Sequence, residues 1–243
     1  MITSAINSIK SDNHAKEIFS RSNIVVKDTV DSLFASNVIE QFNNLTSAFG
    51  DNGIDKLVIL KSVQDAEELQ DFCPELHKKL LGEASVAYGI YDNKDKTICI
   101  IQDNHKRKDE KYEGSMSEQG SDTLTHEFGH LLDKKYSKSD GFKSAYKKDL
   151  IEFDRNLKKN PNKKIEGSDM SYLEAKDYFK HYIEGADFSD GIDDNDVTRT
   201  GHREQWAEAF SIAFDNSENE ANRIHKALFK NTYNRFLDIM QTA

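Results

Sequence analysis

Three short apolar runs, all between residues 54 and 102, read as β-strands: IDKLVILKS (54–62), VAYGIY (86–91) and TICIIQ (97–102). The last two flank DNKDK, and Asp-Asn-Lys-Asp between apolar runs is hairpin chemistry. So little strand-forming sequence in 243 residues allows one small sheet and leaves the rest to helices. The remainder of the first 80 residues is mostly helical in pattern, as is nearly everything from Ser121 onward. Helices are expected near 141–158, 171–184, 202–214 and 218–239. The charge-rich segment 103–120, the stretch KKNPNKKIEGSD (158–169) and the acidic EGADFSDGIDDND (184–196) read as exposed loops. The expected fold class is α+β, mostly helical, with a small sheet packed beside the helix that begins near Ser121. Residues 1–120 would form an N-terminal helical and β-sheet subdomain and 121–243 a helical one, together a single domain.

Composition narrows the functional classes. At 37% hydrophobic and 31% charged residues, the chain is polar yet carries enough apolar side chains for a core. No apolar run approaches the length of a membrane span. The N-terminal MITSAINSIKSDNHAKEIF lacks a long apolar segment, so a standard secretory signal is not expected. Residence inside the cell, a removed leader and export by another route all remain open. Cys73 and Cys99 are isolated, without CxxC spacing, which points to buried free thiols rather than a disulfide framework or a cysteine zinc knuckle. A net charge of −10 argues against nucleic acid or an anionic membrane as the main partner.

The stretch TLTHEFGHLLD (123–133) carries the strongest chemical signal. Residues four apart share a helix face, so His126 and His130 project side by side and can place two imidazole nitrogens on one metal ion. Glu127 sits one residue round, in reach of a metal-activated water without ligating the metal. Leu124, Phe128, Leu131 and Lys135 fall on another face, with Leu132 flanking it, so most of this helix can be buried. Ser121 or Asp122 can cap its start. Gly129 costs roughly 1 kcal/mol against alanine inside a helix, which suggests close approach by a bulky neighbour. The plain alternative is a helix whose histidines bond to nearby loops.

A catalytic zinc takes three protein ligands and keeps one position open. Downstream, HREQWAEAFSIAF (202–214) offers Glu204 and Glu208 on one helical face, with Trp206, Phe210 and Phe214 available to the core. Glu204 fits a third ligand, and Glu208, one turn on, fits a carboxylate that orients a ligand imidazole. Asp133, three residues after His130, is a further candidate for that supporting role. The competing reading is a surface helix whose glutamates face water.

THEFGHLLD followed downstream by EQWAEAF resembles the anthrax lethal factor-like family of zinc metallopeptidases. The resemblance covers about two helices, 121–136 and 202–214, and elsewhere rests on the order of elements. It implies a gluzincin catalytic fold with one zinc per chain, held by His126, His130 and Glu204. It also implies Glu127 as general base and Glu208 as a carboxylate behind the ligands. Two departures stand out. The family places a tyrosine that assists the oxyanion seven residues before the glutamate ligand, and Val197 occupies that position here. Glu204 also lies 74 positions after His130, a longer interval than the resemblance leads one to expect. Tyr178, Tyr182 and His202 are candidates to replace the tyrosine.

The expected activity is therefore hydrolysis of peptide bonds in a protein or peptide substrate by a zinc endopeptidase. By resemblance the substrate is a host protein and the enzyme a secreted toxin or injected effector; a cytoplasmic protease fits the same residues. Two rivals are a zinc-binding protein-interaction module with the same fold and impaired catalysis, motivated by Val197, and a helical interaction protein with a chance motif. The acidic stretch 184–196 lacks the residue order of a calcium loop.

Overall fold

The computed structural model describes residues 7–8, 24–49, 53–82, 87–105, 116–136, 141–183, 199–215 and 219–242. In chain order these form β1 (Asn7–Ser8), β2 (Ile24–Val26), α1 (Ser32–Phe49), β3 (Lys56–Leu60), a 3₁₀ turn (Val63–Leu69) and α2 (Pro74–Leu81). Then follow β4 (Gly89–Asp92), β5 (Thr97–Ile101), α3 (Gln102–His105), α4 (Met116–Tyr136), α5 (Phe142–Lys159), α6 (Tyr172–Tyr178) and α7 (Lys180–Ile183). The last three helices are α8 (Arg199–Asp215), α9 (Glu220–Leu228) and α10 (Lys230–Thr242). Helices dominate and a small sheet accompanies them, which agrees with the α+β class expected. The chain divides within α4 into two compact units, Met1–Leu131 and Leu132–Ala243.

In the first unit the five strands run in the order β1-β2-β3-β5-β4. Neighbours are parallel except β4, which pairs antiparallel with β5 and forms one edge. Central parallel strands are covered on both faces, and their sequences are continuous apolar runs for that reason. Leu57 to Leu60 of β3 and all of β5 are buried. Val58, Leu60, Cys99 and Ile101 pack with Ala66, Leu69, Leu76 and Leu80 from the 3₁₀ turn and α2 in one core. Both cysteines are free and buried, as expected; burial pushes the Cys99 thiol well up.

A parallel β2–β3 pair needs a crossover, and α1 supplies it. Asp31 Oδ1 accepts from the Leu33 and Phe34 amides, each at 3.0 Å, and so starts that helix. Its apolar stripe, Phe34, Val38, Phe42 and Leu45, is buried. The β4–β5 hairpin forms where DNKDK was expected to turn. Asp92 Oδ1 accepts from the Lys94 and Asp95 amides, both at 2.8 Å. Asp95 then caps the neighbouring helix, its Oδ2 accepting from the Glu75 and Leu76 amides at 3.0 Å.

Helix α4 begins at Met116, five residues before the expected start, so Ser121 and Asp122 lie inside it and do not cap it. The reason is tertiary. A Cβ on Gly120 would lie 2.6 Å from Phe34 Cε2, so this residue packs against α1 as part of the helix. The end of the expected 103–120 loop is thus helical, and Gln102–His105 form a helical turn at its other end.

The second unit is helical. Phe142, Tyr146, Leu150 and Phe153 of α5 are buried, as are Trp206 and Phe210 of α8 and Phe236 of α10. Trp206 joins Phe142 and Phe236 edge-on, with ring centroids 5.1 and 4.9 Å apart. Two expected helices are each broken in two. The 171–184 segment breaks at Phe179 and the 218–239 segment at Phe229, both buried aromatics. After Phe229 the new helix is capped from a distance. Asp149 on α5 accepts from the Asn231 and Thr232 amides at 3.2 and 2.7 Å and from both their side chains at 2.6 Å.

Two predictions follow from these carboxylates. Asp149 is buried with four donors on it, so Asp149→Ala leaves them unsatisfied and should destabilise the protein by about 3 kcal/mol in urea unfolding. A loss below roughly 1 kcal/mol would contradict the capping role. For Asp92, burial pushes the carboxyl up, but the Asp95 and Lys94 amides and Lys79, whose Nζ lies 2.6 Å from Oδ2, outweigh it and hold it below the ordinary value of 3.8. A lowered folded-state value stabilises the protein above 3.8, and that stability is lost as pH falls through the lower value. Asp92→Asn should therefore melt below wild type at neutral pH, with the gap closing once the pH drops under 3.8. A gap that stays constant with pH would rule this out.

Candidate metal centre

The motif helix α4 is held along its length by groups from three other elements of the first unit. Gln41 of α1 donates from Nε2 to Thr125 Oγ1 at 2.8 Å. The buried His105 of α3 contacts Ile101 O through Nδ1 at 2.8 Å and Thr123 Oγ1 through Nε2 at 3.0 Å. The carbonyl can only accept, so Nδ1 carries the proton and Nε2 takes the threonine hydroxyl. The third element is β4. A Cβ on Gly89 would lie 2.6 Å from Thr123 Cγ2 and 3.0 Å from Glu127 Cγ, so only glycine lets strand and helix approach this closely.

That approach brings backbone to the carboxylate. In the β4–β5 ladder Ile101 N donates to Tyr88 O at 2.9 Å. By the alternation of antiparallel pairs, Ile90 and Asp92 also bond toward β5, while Gly89 and Tyr91 point their amides to the open edge. Tyr91 N donates to Glu127 Oε2 at 2.8 Å. Glu127 is only 9% exposed, so its carboxylate is oriented by a sheet amide and largely shielded from water.

His126 and His130 are partly exposed on the same helix, their rings 4.8 Å apart and nearly perpendicular at 85°. One ligand atom from each of His126, His130 and Glu204 lies within 4.8 Å of the others. A tetrahedral site with ligands at 2.0–2.2 Å has edges of roughly 3.4 Å. This cluster of three residues could hold a metal ion. Glu127 is not a member of it.

Glu204 sits early in α8, on the partly exposed side of a helix whose Gln205, Trp206 and Ala207 are buried. Its neighbour Arg203 donates from Nε to Asp133 Oδ2 at 3.1 Å. Glu208, one turn on, accepts from the Tyr182 hydroxyl at 2.9 Å. The other oxyanion candidates have different surroundings. Tyr178 packs on Phe179, and His202 packs on Phe142 with centroids 5.0 Å apart. Burial pushes the His202 imidazole down against the pull of Asp133. Val197 and the acidic stretch 184–196 lie outside the described residues.

Sequence reasoning missed the Tyr91 amide, His105, Gln41 and Arg203. A main-chain donor leaves no side-chain signature, although a glycine inside a strand is itself a sign of close approach. Protein-family models, curated proteins and solved structures show no significant match to the chain.

Proposed function

We propose that the protein is a zinc-dependent endopeptidase. The observation that carries this reading is the convergence of His126, His130 and Glu204, with the buried Glu127 beside the histidines but outside the ligand set. Two imidazoles and one carboxylate are a donor set that catalytic zinc uses, with a coordination position left open. The resemblance of THEFGHLLD and EQWAEAF to the lethal factor-like peptidases supports the same assignment.

Bound zinc supplies Lewis acidity, polarising the scissile carbonyl and acidifying a water. Glu127 accepts the proton as the water oxygen bonds to the carbonyl carbon. It then delivers that proton to the departing nitrogen as the C–N bond breaks, giving an acid and an amine. The Tyr91 amide holds the carboxylate in one orientation through both transfers. Glu208 and Tyr182 form a linked pair one turn beyond the ligand.

The purified protein should take up about one zinc per chain. Glu127→Ala should keep that zinc yet lose at least about 100-fold in cleavage of a susceptible protein. Glu204→Ala should bind zinc more weakly. Wild-type protein that takes up no zinc would defeat the proposal, as would a Glu127→Ala variant that cleaves normally.

The Tyr91 contact can be tested without breaking the sheet, because its amide faces the open edge, where proline is tolerated. Tyr91→Pro should lower kcat by about 10- to 100-fold with zinc retained, the value of one hydrogen bond to a charged group. Tyr91→Ala, which keeps the amide, should retain most of the turnover. Equal turnover in the two variants would show that the amide does not orient Glu127.

A further inference from the structure

Residues 126, 130 and 133 follow the i, i+4, i+7 spacing of one helix stripe, so Asp133 continues the line of the two histidines by a turn. Its carboxylate is nearly buried, with 8% of the side chain exposed. Oδ2 takes the Arg203 Nε at 3.1 Å, and Oδ1 has no hydrogen-bond partner among the described residues. Arg203 immediately precedes Glu204, and successive residues on a helix point about 100° apart. Fixing the direction of one therefore fixes the direction of the next.

We propose that the Asp133–Arg203 ion pair is a positioning device for the metal centre, which sets the rotation of α8 so that Glu204 meets His126 and His130. The proposal rests on the zinc reading above. A ligand on a separate helix has a rotational freedom that His126 and His130, sharing one backbone, do not have. The ion pair removes it before the metal arrives, so the ordering cost is met by the fold rather than by binding. Asp133 thus acts on Glu204 through Arg203, without touching the ion.

The test measures zinc affinity by competition with a chelator, alongside the melting temperature of the metal-free protein. Asp133→Asn and Arg203→Gln should each weaken zinc binding by about 10- to 100-fold. Arg203→Lys, which keeps the charge, should recover most of the loss, and the double variant should be no weaker than the worse single one. Zinc affinity within about twofold of wild type in folded Asp133→Asn and Arg203→Gln overturns the proposal, even if their melting temperatures fall. Should Asp133→Asn fail to fold, the two Arg203 variants decide it. Wild-type protein without zinc affinity overturns the endopeptidase reading and this inference together, whereas unperturbed variants overturn this inference alone.

Discussion

The candidate centre depends on how closely α4 lies on the open edge of β4. Gly89 has no side chain to hold the helix away, and Thr123 and Glu127 occupy the space a Cβ would take. That contact brings the Tyr91 amide to 2.8 Å from the Glu127 carboxylate. A carboxylate on a residue only 9% exposed, with one oxygen held by an aligned amide, has a defined direction that a solvated glutamate on a surface helix lacks. A larger residue at position 89 would separate the two elements and release Glu127.

A second theme is the use of aspartates on main-chain amides, both near and distant in sequence. Asp31 starts the crossover helix, Asp92 closes the hairpin turn, and Asp95 in that turn caps α2. Asp149 caps α10 from another helix. Each satisfies donors that a helix or turn leaves open, and Asp95 and Asp149 also tie two separate elements together. Some of the acidity behind the net charge of −10 therefore serves the architecture rather than a partner.

Local pattern made much of this legible. The apolar runs marked β3 and the hairpin, and the i, i+4 spacing of His126 and His130 marked the face they share. The glutamate pair of α8 was visible in the same way, and a carboxylate oxygen of Glu204 lies within 4.8 Å of a ring nitrogen of each histidine. Helix ends were read less well. Ser121 and Asp122 have the chemistry of a cap, yet packing of Gly120 on Phe34 extends α4 past them. The breaks at Phe179 and Phe229 were also hidden, since an aromatic residue does not interrupt a helical pattern, and it is the backbone that leaves helical geometry there, with ψ at 23° and 40°.

The sequence alone determined the composition of the chemistry: two imidazoles on one helical face, a carboxylate between them, a second acidic helix and two free thiols. All but the thiols follow from helical periodicity, a property of neighbouring residues; the thiols follow from the isolation of the two cysteines. Tertiary structure decided which carboxylate joins the histidines, that a β4 amide holds Glu127, and that Asp133 pairs with Arg203. Those outcomes depend on distances between groups 36 to 78 residues apart, and no local rule carries such distances.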